Sequence, residues 1–311
     1  MDLSAPLPVL LLAFAPAVMW GFTPVIEKRA LSDGGAPLQA ALTVVVVDSA
    51  VYLVALAVFQ DDPFGGISLG TVAVFAAAGA VGTALGRIAI FAGNARVGAS
   101  ISSAVVSARP LFATALAVGF IGEPLSAPTA IGIVVIVVGL GVLSLSKGGD
   151  LGGWSGRDLL VPLAAAGLFA AGNVARRWGL STAEATPLEA VAINEFAALV
   201  ALGAYVAVVG KDSVLGRPRR SYVVFAVSGL ITAVALLSMF TALAAPEGRI
   251  AVVDPLVATA PLFTVVFSWL WLGNLERVTR GVVLGAVLVV VGAALVTGGP
   301  SLVRGLTTLG V

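Results

Sequence analysis

The chain has 311 residues, 59 % of them hydrophobic and only 11 % charged, with a mean hydropathy of +1.09. Soluble domains carry roughly a quarter charged residues, so this composition excludes a soluble globular protein and indicates an integral, multi-pass protein of the cell membrane. A net charge of +1 gives no electrostatic case for nucleic acid. With neither cysteine nor histidine, disulfides, thiolate chemistry, imidazole relays and histidine-ligated metals are removed, and no cofactor is expected.

A helix needs about 20 apolar residues to cross the hydrocarbon core. Ten such runs follow one another, at 8–26, 38–58, 70–92, 99–121, 129–146, 158–177, 188–209, 222–245, 250–272 and 281–298. None alternates polar with apolar residues, which excludes outer-membrane strands. The first run has no basic stretch before it and reads as an uncleaved span. It carries Trp20, Thr23 and Glu27 on one face, a candidate cavity wall.

The second run, opened by APLQA at 36–40, holds Asp48 at its eleventh residue. An aspartate at that depth costs roughly 2.5–3.5 kcal/mol on insertion. Asp48 is therefore expected to face the interior, where it couples protons, binds an amine or pairs with an arginine. The third run contains Gly82-x-x-x-Gly86, a close-packing pattern, then Arg87, near enough to the end of the run to snorkel, and Asn94 on the same face. The fourth carries Ser100, Ser103, Ser107 and Thr114 on one face, with Arg109 and Pro110 beside them. Arg109 is the candidate for a substrate carboxylate or for an ion pair with Asp48. Serines at this spacing serve helix packing as readily as ligand binding.

The sixth run contributes Asn173. The seventh, opened by TPLEA at 186–190, contributes Asn194 and Glu195, the second candidate for a titrating carboxylate. The ninth contributes Asp254 and Pro261, and the tenth Gly281-x-x-x-Gly285. The connecting loops are short and rich in Gly, Pro, Asp and Arg.

One phrase is written twice. ARPLFATALAVGFIGEP at 108–124 returns as TAPLFTVVFSWLWLGNL at 259–275. APLQA matches TPLEA, and Phe91 matches Phe240, at nearly the same offset. The chain divides into halves at 1–146 and 147–311, each of five spans. An odd number of spans makes the second half enter the membrane inverted. The expected fold is therefore all-α, ten transmembrane helices in two inverted five-helix repeats, with a site near the midplane. Pro110 and Pro261 fall in the fourth helix of each half. Each removes a hydrogen bond and frees the carbonyl four residues back, Val106 or Val257, for packing or for a cavity.

The duplicated Pro-Leu-Phe helix with its glycine turn, the Trp20-Gly21 pair and the five-plus-five layout resemble the drug/metabolite transporter superfamily, in its EamA-type branch. The resemblance implies a ten-helix permease working by alternating access, an exporter or exchanger of amino acids or related amphipathic metabolites. The family's Gly-Glu turn is present as Gly122-Glu123. The second copy departs from it, with Gly273-Asn274 and Glu276 two residues later, a pattern that fits a structural turn.

Loops after odd-numbered runs hold eleven basic residues and the other side four, which places both termini outside; the resemblance places them in the cytoplasm. No phosphate-binding loop occurs, so ATP does not drive the cycle directly. A proton carrier would be Asp48, Glu195 or Asp254. Two other functions stand beside the carrier: a lipid or lipid-phosphate flippase of the same superfamily, with Arg87 and Arg109 on phosphate, and a membrane-embedded enzyme. The sequence leaves open the substrate, the coupling ion and the oligomeric state.

Overall fold

The computed structural model describes residues 7–116, 127–146, 148–182, 185–209, 214–245, 253 and 256–308. It consists of helices joined by short turns: α1 (Leu7–Ser32), α2 (Pro37–Phe59), α3 (Leu69–Ala78), α4 (Gly86–Val97), α5 (Ala99–Val106), α6 (Arg109–Leu116), α7 (Ala127–Leu145), α8 (Leu160–Thr182), α9 (Pro187–Val209), α10 (Arg219–Ala244), α11 (Ala260–Trp271) and α12 (Arg280–Thr308). A π-helical segment, Gly79–Leu85, joins α3 to α4 without interruption. Among the described residues, eight segments are long and apolar enough to cross a membrane; one of them is the continuous Leu69–Val97 and another combines α5 and α6. Ala260–Trp271 and Arg280–Val296 are shorter apolar helices.

The helices are apolar all round, the pattern of spans in lipid. On α2, Val46, Leu53 and Val54 face outward, while Val44, Asp48 and Tyr52 are buried. The two matching Pro-Leu motifs open their helices in the same way. Gln39 Oε1 accepts from the Ala36 amide at 3.1 Å, and Glu189 Oε2 accepts from the Thr186 amide at 2.8 Å. Each side chain satisfies an orphan amide of its first turn.

Packing runs across the two halves. α1 lies on α10 and α8 on the π segment and α4; α2 lies on α10 and α9 on α3; α1 meets α11 and α8 meets α6; α7 pairs with α12 and α2 with α9. Close approaches use glycine. A Cβ on Gly82 would stand 2.7 Å from the Gly172 Cα, so only glycine lets the π segment and α8 touch here. Two structural details differ from the sequence reading. The third span runs on to Val97, so Arg87 lies well inside the helix, where it is buried and does not snorkel. α8 runs on to Thr182, so Arg176 is also inside a helix instead of at its end.

One end of the bundle is tied by loops. A two-residue antiparallel ladder pairs β1 (Gly149–Asp150) with β2 (Glu276–Arg277). Glu276 is buried, and its carboxylate accepts from the amides of Ala99 and Ser100 and from Ser100 Oγ at 2.5 Å, capping the N-terminus of α5. Gly98, at φ 91°, makes the turn that presents these amides, and a Cβ there would meet the Glu276 Cδ at 2.7 Å. Lys28 at the end of α1 pairs with Asp150 and donates to the Ala95 carbonyl at 3.0 Å. Gly122-Glu123 lies outside the described residues.

Candidate functional site

The breaks that interrupt two helices also shape the centre of the molecule. α5 ends at Val106, Ser107 and Ala108 turn, and α6 begins at Arg109 with Pro110 in its first turn. Ala258 and Thr259 turn before α11, which begins at Ala260 with Pro261 in its first turn. Proline has no amide proton to lose at that position, which is why a helix can restart there. The two turns touch: Ser107 Oγ donates to the Ala258 carbonyl at 3.4 Å, and nearby Thr264 Oγ1 donates to Ser103 Oγ at 3.0 Å.

Beside them lies a cavity of about 160 Å³, far above the roughly 10–15 Å³ that one water needs. Its apolar wall includes Trp20, Phe91, Phe169, Leu236 and Met239; its polar wall includes Glu27, Thr83, Arg87, Ser103, Ser107, Arg109, Asn173, Arg176 and Thr232.

Arg87 stands at the centre of a buried charge cluster. Its Nη2 is 2.5 Å from Asp48 Oδ2, and its Nη1 is 3.2 Å from Glu195 Oε2. Both contacts are ion pairs by distance without the angles of a hydrogen bond. Asp48 and Glu195 are 0 % exposed, behind the wall that Arg87 forms. The ion pair of Asp48 is thus with Arg87 and not with Arg109. The reason is the longer third span, which sets Arg87 level with the middle of α2.

Glu195 Oε1 also accepts from Asn194 Nδ2 at 2.9 Å and from Thr83 Oγ1 at 3.4 Å. Thr83 in turn accepts from Arg176 Nη2 at 2.7 Å, and Asn194 Oδ1 accepts from Arg176 Nε at 3.0 Å. Asn173 Oδ1 accepts from Arg176 Nη1 at 2.9 Å. On the α1 side, Glu27 accepts from Ser228 Oγ and from Asn94 Nδ2, the latter at 3.3 Å.

The structure therefore gathers Trp20, Arg87, Ser103, Ser107, Arg109 and Asn173 around one cavity, with Asp48, Asn94 and Glu195 immediately behind. Asp254 lies outside the described residues. Arg176 and Thr83 were not singled out from sequence. Arg176 was hidden by an underestimated helix end, and Thr83 by an apolar stretch that carries no polar pattern. Ser228, on α10, becomes meaningful only beside Glu27. Among the described residues no group of acids is placed to hold a metal ion.

A bundle of apolar helices around a cavity lined with buried charge is the architecture of a multi-pass membrane protein with an internal site. The sequence profile of the EamA-like transporter family matches residues 7–145 and again 158–298, and the chain belongs to that family. It is thus a membrane transporter of the drug/metabolite transporter superfamily. A crystal structure of a protein superposes with a TM-score of 0.62 at 17 % identity, covering 92 % of this chain and 95 % of the other; the likeness is one of fold. The comparison with curated proteins finds no match.

Proposed function

We propose that the protein is a secondary transporter of a small amphipathic metabolite, working by alternating access between two inverted five-helix repeats, residues 1–146 and 147–311. The observation that carries this reading is the meeting of the two proline-led helix breaks at the cavity, Ser107 against Ala258. Broken helices at matching positions of two repeats are where such carriers place their sites. The packing supports it as well. Several contacts of the first half have counterparts with the halves exchanged, α1 on α10 against α8 on α4, and α2 on α10 against α9 on α3. This is the pattern a pseudo-two-fold axis produces.

The test uses the absence of native cysteine. A single cysteine at Thr232, on the cavity wall, should react with a membrane-impermeant thiol reagent from one side and then, under exchange conditions, from the other. Labelling from one side only in every condition would defeat alternating access. Scrambling of a fluorescent phospholipid by the same vesicles would replace the carrier reading with a flippase. Asp48 and Glu195 share one guanidinium and are the pair to examine for proton coupling. If Asp48 is the coupling group, Asp48→Asn should lose gradient-driven uptake while counterflow exchange survives, because the amide resembles the neutral acid.

A further inference from the structure

Asp150 and Glu276 stand directly opposite each other in the β1–β2 ladder, and each holds a different helix of the first half. Asp150, in the segment that joins the halves, pairs with Lys28 at the end of α1. Glu276, in the second half, caps α5 through the amides of Ala99 and Ser100, the latter at 3.2 Å. One ladder pair is thus a clasp on two helices. It is closely seated as well. A Cβ on Gly149 of the ladder would stand 2.5 Å from the Val97 carbonyl oxygen, and one on Gly98 would stand 3.1 Å from the Asp150 amide nitrogen.

The clasp adjoins the central cavity. Glu27 lines that cavity and accepts from Asn94; Lys28, the next residue, donates to the carbonyl of Ala95, the residue after Asn94. α1 and α4 therefore pass from cavity wall to clasp in one step of sequence. On α5, Ser103 lines the cavity and Ala99 is capped, about 6 Å of helix away. Beside them is an apolar plug of three buried side chains, Val25 of α1, Ala99 of α5 and Leu272 at the end of α11. The plug too joins the first half to the second. At the opposite end, the described ties across the halves are neutral side chain to neutral side chain, Gln60 to Thr186 at 2.9 Å, and main chain to carboxylate, the Phe64 amide to Glu189 at 2.9 Å. Among the described residues no ion pair closes that end.

We propose that the Asp150–Glu276 clasp and its apolar plug are the gate that shuts the cavity at this end, with Lys28–Asp150 and Glu276–α5 as its closing contacts. The assignment rests on the carrier reading above, in which the halves move against each other. Both contacts run from a helix of the first half to the ladder, so opening this end must break them. They are bonds that water can replace, since the Asp150 side chain is 18 % exposed and freed amides of a first helical turn can be hydrated. The plug keeps water out while the clasp is shut. Arg220 and Asp33 also join the halves at this end, but at 3.9 Å with side chains 74 % and 45 % exposed, and such a pair holds little.

The test labels Thr232→Cys, on the cavity wall, with a membrane-impermeant maleimide from each side of vesicles holding the full-length protein. A lone cysteine in place of Arg157, exposed in the loop after the ladder, identifies which side carries the clasp. Added singly to Thr232→Cys, Lys28→Met and Glu276→Ala should each speed labelling from the clasp side by about fivefold or more and slow it from the other side. Arg220→Ala should leave both rates unchanged. Should Lys28→Met lose folded yield, Asp150→Asn takes its place with the same expectation, because that side chain is already partly exposed. Equally faster labelling from both sides would mean a loosened bundle and overturns the gate. So do unchanged rates in the clasp variants, or an equal effect of Arg220→Ala. Two-sided labelling of Thr232→Cys alone, with no effect of the clasp variants, removes the gate and leaves the carrier reading. Access from the clasp side only once the clasp is broken, with no exchange-dependent access in the parent, removes the carrier reading and leaves the clasp as a seal.

Discussion

Ser107 gives its hydroxyl proton to the main-chain carbonyl of Ala258, 3.4 Å away. The two residues are 151 positions apart, the same separation as Pro110 and Pro261. Each therefore stands one residue before its copy of the repeated phrase, in the turn that precedes the proline. A chain without cysteine allows a direct test. In Ser107→Cys/Ala258→Cys, mild oxidation should cross-link the two breaks and stop transport until a reductant is added. A pair that stays reduced, with unaltered transport, would separate the two turns.

Arg87 carries two buried carboxylates, and its removal should expose that dependence. Arg87→Met leaves Asp48 and Glu195 facing each other without a cation, and the cost should be on the order of 3–5 kcal/mol. Folded yield and melting temperature should fall. Adding Asp48→Asn and Glu195→Gln to the same chain should recover most of the loss, because the cluster is then neutral. A triple variant as unstable as Arg87→Met would show that packing around the guanidinium, and not its charge, holds the site.

Gly82 faces Gly172 at a distance that admits no side chain. Gly82→Ala must push the π segment away from α8 and should cost about 1–3 kcal/mol. Gly203 on α9 has nothing within 4 Å of the place a Cβ would take, so Gly203→Ala should leave the melting temperature unchanged or slightly raised. Equal effects of the two substitutions would refute the close-packing role.

Glu276 lies in the loop between α11 and α12, and burial pushes its carboxyl above the usual carboxylate range, only partly opposed by the Ser100 hydroxyl and the Ala99 and Ser100 amides. The folded protein then holds a proton that the unfolded chain has already released. Stability from this group is fully present at lower pH and falls as pH rises through the window between the two values. Glu276→Gln should flatten the melting-temperature profile across that window. Its absolute stability should also be lower, because one of the two capping oxygens is lost. A profile parallel to the wild type would assign the pH dependence elsewhere.

The sequence by itself determined the class. Runs of apolar residues long enough to span a bilayer, with so few charges, admit only helices in lipid, because every backbone group must be satisfied within its own segment. The repeated Pro-Leu-Phe phrase also marked, within the chain, where the two helices break, since proline acts through local backbone chemistry. The depth of Asp48 declared it an interior residue, because lipid exposure of a carboxylate is too costly. The partners were decided only by tertiary structure. Whether Asp48 meets Arg87 or Arg109 depends on how far the third span extends and how the π segment turns its successors, and no local pattern in GAVGTAL records that. The pairing of Glu27 with Ser228 joins residues 201 positions apart, and Arg176 meets Thr83 across 93. In a chain where nearly every residue suits lipid, hydrophobicity fixes which segments are buried in the membrane but leaves their rotation about their own axes free. That rotation is set by close contacts such as Gly82 on Gly172 and by the few polar groups that must find one another, and those contacts exist only once the helices are assembled.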